Sequence, residues 1–326
     1  MKLLAPFAML TAGLLTTTAW AAPGVVASIK PVHSLVAAVM EGVGEPDLIV
    51  DGSASPHTYA LKPSDADALQ NADLVFWTGH GLELFLGDAL ETLSTGADVV
   101  ELAAAPGIVL LPVREGGAFE AHEHDDQHHA HDAIHDHDGA EDHAMKGEQS
   151  ADDEHGEGDM HFWLDPENAK LMVTQIATSL ALADPANASN YQTNAEAQLV
   201  RLDDLEAEID AMLAPVKDKP FIVFHDAYQY FEARFGLNLA GSITVTPDTM
   251  PGAARIDELK TRLVELGAAC VFAEPNFAPT IINAITEGSA ARSGTLDPEG
   301  GALEAGIDLY PNLLRGLATS LVDCLG

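Results

Sequence analysis

Five of the 14 histidines lie outside one acidic stretch of the chain, at positions 33, 57, 80, 161 and 225. Three of these, His57, His161 and His225, are the side chains best placed to do chemistry. His225 directly follows the apolar run Phe221-Ile222-Val223-Phe224 and precedes a helical pattern. That is the carboxyl end of a strand, where ligand sites form in open α/β sheets. His57 sits in a Gly/Ser/Pro turn after an apolar run that ends at Asp51, and His161 stands just before Phe162-Trp163-Leu164-Asp165-Pro166. Three imidazoles on such loops can converge on one cleft. They would suit Zn²⁺ or Cu²⁺ better than Mg²⁺ or Ca²⁺, and would leave a fourth tetrahedral position for water or a carboxylate. Taken singly, each has as good a claim to a hydrogen-bonded structural role.

An open zinc position can generate hydroxide, so a secreted zinc hydrolase is one reading. Against it, the sequence holds no HExxH pair, GxSxG elbow, GxGxxG turn or phosphate loop. Pro56 and Thr58 flank His57, so no carboxylate adjoins it to act as a local base. The balance favours binding without catalysis. Glu274, after the apolar run 270–273, can accept a hydrogen bond from a ligating imidazole and so orient it. His33, near a helix start, reads as structural and His80, in Thr78-Gly79-His80-Gly81, as a surface residue. Trp163 and Tyr59 read as packing beside the histidines, and Tyr228 and Phe231 as core.

The elements that must position these residues alternate in type. Strand-like runs at 25–29, 48–51, 74–78 and 99–102 enclose helical patterns at 34–41, 64–71 and 82–93. Further strands at 221–224, 243–245, 270–273 and 294–296 alternate with helices at 228–235, 255–266, 280–287 and 309–325. The pattern predicts an α/β fold of two lobes, each a parallel sheet flanked by helices. Between them, Asp165 and Pro166 open one helix. A longer helix covers 188–213, with Tyr191, Ala195, Leu199, Leu202, Leu205, Ile209 and Leu213 spaced by three or four. At about 1.5 Å per residue it reaches about 40 Å, enough to link two lobes. The expected divisions are 1–21, 22–165, 166–215 for the connecting helices, and 216–326.

Fifteen Lys and Arg against 51 Asp and Glu give a formal charge of −36. Nucleic acid is excluded as a partner, because phosphate binding needs a cationic face; cations are attracted. Residues 115–160 carry nine of the histidines, 16 acidic residues and one lysine. Such a segment cannot offset its ordering entropy by burial and is expected to be a disordered loop. Residues 1–21 read as a cleavable signal peptide: Lys2, an apolar stretch too short for a bilayer, then Ala19-Trp20-Ala21. In an exported chain the two cysteines, Cys270 and Cys324, most simply form a disulfide.

Several runs of residues go together: Val25-Val26-Ala27-Ser28-Ile29-Lys30-Pro31, Pro56-His57-Thr58-Tyr59-Ala60-Leu61-Lys62-Pro63-Ser64-Asp65 and Asn71-Ala72-Asp73-Leu74-Val75. With them go His161-Phe162-Trp163-Leu164-Asp165-Pro166-Glu167, Phe224-His225-Asp226-Ala227-Tyr228, Phe272-Ala273-Glu274-Pro275 and Gly294-Thr295-Leu296-Asp297-Pro298. In combination they resemble the metal-binding receptor family of ABC importers (the cluster A-I solute-binding proteins), most nearly its zinc-binding branch. The resemblance implies two lobes joined by one rigid linker helix, with the metal in the cleft between them. It implies His57, His161 and His225 as zinc ligands in a monomeric periplasmic protein that delivers Zn²⁺ to an inner-membrane ABC permease. Manganese-binding relatives carry a carboxylate where His225 stands, so manganese is the alternative within this class.

Asp297 matches a carboxylate used by some relatives and is expected as a fourth ligand or a neighbour. Zinc-binding relatives often have an acidic residue before the first histidine, where this chain has Pro56. Water, Asp297 or a loop side chain must then complete the shell, with water ranked first. A His/Asp-rich loop also recurs in the zinc branch. Here it offers His122, His124, His128, His129, His131, His135, His137, His143 and His155 as an auxiliary zinc collector of modest affinity.

Overall fold

The computed structural model describes residues 22–114, 119, 158–244, 251–265, 267–275 and 279–326. The expected signal segment and all nine loop histidines lie outside the described residues. Strands β1 (Val25–Ile29), β2 (Asp47–Val50), β3 (Leu74–Trp77) and β4 (Asp98–Glu101) form a parallel sheet in the order β2-β1-β3-β4. Both β1 and β3 are buried at every position, as a parallel sheet covered on two faces requires. Helices α1 (Lys30–Val39), α2 (Pro63–Asn71) and α3 (Gly87–Leu93) carry the chain between strands.

Helix α4 (Pro166–Ala183) begins at a proline and is capped by Asp165, whose side chain accepts from the Glu167 N–H at 2.9 Å. Helix α5 (Ala188–Leu213) has 26 residues and buries a stripe of Tyr191, Ala195, Leu202, Leu205, Ile209 and Leu213. The second sheet joins β5 (Phe221–His225), β6 (Leu239–Thr244), β7 (Cys270–Ala273) and β8 (Arg292–Thr295), all parallel, in the order β6-β5-β7-β8. Around it run α6 (Gln229–Phe235), α7 (Ala253–Glu265), α8 (Pro279–Thr286) and α9 (Leu309–Leu325).

Alternation along β5 divides the apolar interior. Phe221 and Val223 join a core that continues through α9, α5 and α4 into the first lobe, while Ile222 and Phe224 pack on α7 and α8 in a separate core. Helix α5 packs against α1 of the first lobe and α9 of the second, so the lobes share one continuous apolar interior. The linker is rigid because it is core. Cys270 at the head of β7 is bonded to Cys324 near the end of α9, as expected of an exported pair.

Three local expectations shift. Helix α1 starts at Lys30 rather than at 34, because Pro31 fits a first turn whose N–H has no partner. The pattern at 82–93 is helical only from Gly87; before it, the fully buried Glu83 folds back to accept from the N–H groups of Thr78 (2.9 Å) and Gly79 (3.2 Å). The expected loop 115–160 also includes placed residues at its end: Gly158 bridges to Pro112, and Asp159 and Met160 are buried. Met160 explains this last shift. It packs on Gly81, where an added Cβ would lie 2.6 Å from Met160 Cγ.

Candidate metal centre

Each of the three histidines is delivered by a different piece of chain. His225 ends β5, His161 precedes the 3-10 turn Phe162–Leu164 that leads into α4, and His57 lies in an irregular turn after β2. That turn is anchored by Tyr59, whose hydroxyl donates to Asp65 Oδ2 (2.8 Å) and lies 3.0 Å from the Ile49 carbonyl. The same carboxylate oxygen accepts from the Lys62 N–H at 2.8 Å and fixes the start of α2. Trp163 Nε1 donates across the molecule to the Pro298 carbonyl at 2.9 Å, with its ring 5.3 Å from that of His161.

The result is a cluster. One nitrogen from each of His57, His161 and His225 lies within 4.8 Å of the others. Their ring centroids are separated by 5.6, 5.7 and 5.2 Å. His161 Nε2 and His225 Nε2 approach to 3.4 Å, and His57 Nε2 is buried with no hydrogen-bond partner. A buried nitrogen without a partner is costly unless something not yet present accepts its lone pair.

Two carboxylates fix the tautomers. Glu274 Oε1 lies 2.5 Å from His225 Nδ1, and Asp159 Oδ1 lies 2.8 Å from His161 Nδ1. Each Nδ1–H therefore donates outward, which leaves Nε2 as a lone-pair donor facing the cluster. Asp159 is itself held on three sides. Its Oδ1 accepts from the His161 N–H (3.0 Å), its N–H donates to the Leu111 carbonyl (2.7 Å), and its carbonyl accepts from the Tyr230 hydroxyl (2.7 Å).

The electrostatics split the set. Burial, followed by the neighbouring His161 and His225, pushes His57 down to about 2, so its ring is neutral at any working pH. Burial also opposes charge on His225, but the Glu274 carboxylate beside it more than offsets this and holds it above the usual imidazole range.

Other singled-out residues fall elsewhere. Asp297 lines the same small cavity as His225 and Glu274 but is not a member of the cluster; its Oδ1 accepts from the N–H groups of Glu299 (3.1 Å) and Gly300 (2.9 Å). His33 bonds through Nε2 to the Pro46 carbonyl at 3.0 Å, a structural role. His80 is exposed, with its ring edge-on to Trp77 at 4.7 Å. Tyr228 and Phe231 are buried, yet the Tyr228 hydroxyl also reaches Glu274 Oε1 at 3.4 Å. Sequence reasoning missed Asp159. The signal was the Asp-x-His spacing, which lets a carboxylate reach both the backbone and the ring two residues on.

The profile of the family described as ZnuA, zinc-uptake complex component A periplasmic, matches residues 25–324. The chain belongs to the ZnuA family. It is 54% identical over 305 residues to the high-affinity zinc uptake system protein ZnuA of Brucella abortus (strain 2308), covering 93% of this chain and 91% of that one. Against the protein of the same name from Yersinia pestis the identity is 39% over 320 residues, covering 98% and 96%. A crystal structure of ZnuA matches with a TM-score of 0.73 at 24% identity, covering 93% of this chain and 98% of that one, and this likeness shows the shared fold.

Within the ZnuA fold, the donor set itself bears on the metal. Three imidazoles with no carboxylate in the set suit a borderline-soft cation that accepts four-coordination, whereas Mn²⁺ and Ca²⁺ prefer oxygen. The two carboxylates lie behind the rings, at Nδ1 rather than on the side that faces the cluster.

Proposed function

We propose that this chain captures Zn²⁺ in the periplasm through His57, His161 and His225 and releases it to the membrane permease of a zinc ABC importer. The single observation that carries the reading is the convergence of three imidazoles, two of them backed by carboxylates. The ZnuA family is the periplasmic solute-binding component of such an importer, not an enzyme. Among the described residues no helix is long and apolar enough to cross a membrane. The chain acts as a monomer after loss of residues 1–21, and water is the fourth ligand.

Zinc titration across pH tests this. His57 is neutral throughout, whereas the raised pKa of His225 means that at low pH a proton must leave it before zinc binds. Affinity therefore falls as pH falls, by up to about tenfold per pH unit for one displaced proton. The mature protein should bind one tight equivalent at pH 7.5 and bind it at least about tenfold more weakly at pH 5.5. A dissociation constant that does not change with pH, or no tight equivalent at all, overturns the reading.

We further infer that the nine histidines between 122 and 155 collect zinc for this centre. Their support is composition and the position of the segment's two ends: Pro112 bridges to Gly158, and His161 is three residues further on. Deleting residues 115–157 should remove the weaker zinc equivalents seen in calorimetry and leave the tight one. If the weak equivalents persist, or the tight one goes with them, the segment is not a separate collector.

A further inference from the structure

The first lobe holds the segment after β8 at three points. Trp163 Nε1 donates to the Pro298 carbonyl. Lys30 Nζ donates to the carbonyls of Gly301 (2.9 Å) and Leu303 (2.8 Å). Ser34 Oγ donates to the Ile307 carbonyl (3.2 Å) and accepts from the Tyr310 N–H (3.0 Å). Lys30 is the only lysine or arginine buried among the described residues, and its ammonium is spent on carbonyls of the opposite lobe. A charged donor bonded to two carbonyls in a buried place is a strong tie.

The segment so tied carries Asp297. Gly300 adopts φ +68°, a left-handed turn that suits glycine, and this turn brings its N–H and that of Glu299 onto Asp297 Oδ1. Gly301 is pressed against the turn that bears His57: a Cβ there would lie 3.2 Å from Ser53 Cα. His225, Glu274, Asp297 and Glu299 line one cavity of about 20 Å³, so Asp297 is a neighbour of the metal centre. Its Oδ1 is nonetheless bonded to its own backbone, and Asp297 lies outside the three-histidine set.

We propose that Lys30 is a specificity-determining residue: by tying the 297–303 segment to the first lobe, it withholds the Asp297 carboxylate from the metal and so favours Zn²⁺ over Mn²⁺. The inference rests on the zinc-capture reading above. An oxygen ligand added to three imidazoles moves the site toward the harder cation, because Mn²⁺ gains more from a carboxylate than from water. Lys30 touches no metal and acts only through the turn it fixes.

Competition between Zn²⁺ and Mn²⁺ in the full mature chain tests this on wild type, Lys30→Gln and Lys30→Gln with Asp297→Asn. Lys30→Gln is expected to narrow the Mn²⁺-to-Zn²⁺ ratio of dissociation constants by about tenfold, the scale of outer-shell effects. Adding Asp297→Asn should restore the ratio, which mere loosening of the lobes would not do. An unchanged ratio in folded Lys30→Gln, or a change that Asp297→Asn does not reverse, overturns the proposal. Should Lys30→Gln fail to fold, Lys30→Arg, which keeps the charge but not the paired geometry to the Gly301 and Leu303 carbonyls, decides by the same two outcomes. Wild type that binds no zinc would instead sink the zinc-capture reading itself.

Discussion

Replacing His225 by alanine is expected to weaken zinc binding by at least about a hundredfold. Folded zinc sites contribute about 10–16 kcal/mol from about four ligands, so one ligand carries about 3 kcal/mol or more, and each 1.4 kcal/mol is a factor of ten. His225 should sit at the upper end of that scale. It is buried, it ends a central strand of its sheet, and its ring is held by Glu274 before any metal arrives. A ligand positioned in advance does not have to be ordered on binding.

The same substitution has a second cost that a calorimeter can separate. Without the imidazole, the buried Glu274 keeps, among the described residues, the Tyr228 hydroxyl at 3.4 Å. A buried carboxylate that loses its main partner destabilises the fold. Adding Glu274→Gln to His225→Ala should therefore recover melting temperature without recovering zinc. His33→Ala, which removes an imidazole bonded to the Pro46 carbonyl, should leave zinc affinity unchanged. A His57→Ala/His161→Ala/His225→Ala variant that kept one tight equivalent would make the assigned centre untenable.

What the sequence disclosed about this centre depended on how each residue announces itself. His57, His161 and His225 stand beside apolar runs or tight turns, and an imidazole at a strand end is conspicuous. Asp159 was hidden by composition: it is one of 16 acidic residues within 115–160, and nothing in a single letter marks it as the partner of His161. The ties from Lys30 were hidden for another reason. Their acceptors are backbone carbonyls some 270 positions away, and a carbonyl has no sequence signature. The alternation of strands and helices gave two parallel sheets because each strand is an apolar run between breakers. It placed the start of α1 late because the first turn, from Lys30, is capped by no side chain. The strand β6 was read as 243–245 and runs from Leu239, since Gly241 and Ser242 interrupt its apolar pattern.

The second large effect concerns stability rather than metal. Cys270 and Cys324 close a separation of 54 residues with Cα atoms 6.1 Å apart. On the chain-entropy account, a loop of that length stabilises the fold by about 4 kcal/mol, chiefly by restricting the unfolded chain. At about 1.5–2 °C per kcal/mol for a chain of this size, Cys270→Ala/Cys324→Ala should melt about 7 °C lower. Helix α9 would not detach, because Leu313, Leu314, Leu317 and Leu321 remain buried in the core shared with α5. Nor should zinc affinity change much at 25 °C. The disulfide holds the first residue of β7, whereas Glu274 follows its last, and Glu274 is fixed there by His225 and Tyr228. Differential scanning calorimetry of the double variant in the zinc-free form gives the result directly. A melting temperature within about 2 °C of wild type would mean that packing alone retains α9 and that the unfolded chain is already compact enough to make the link redundant.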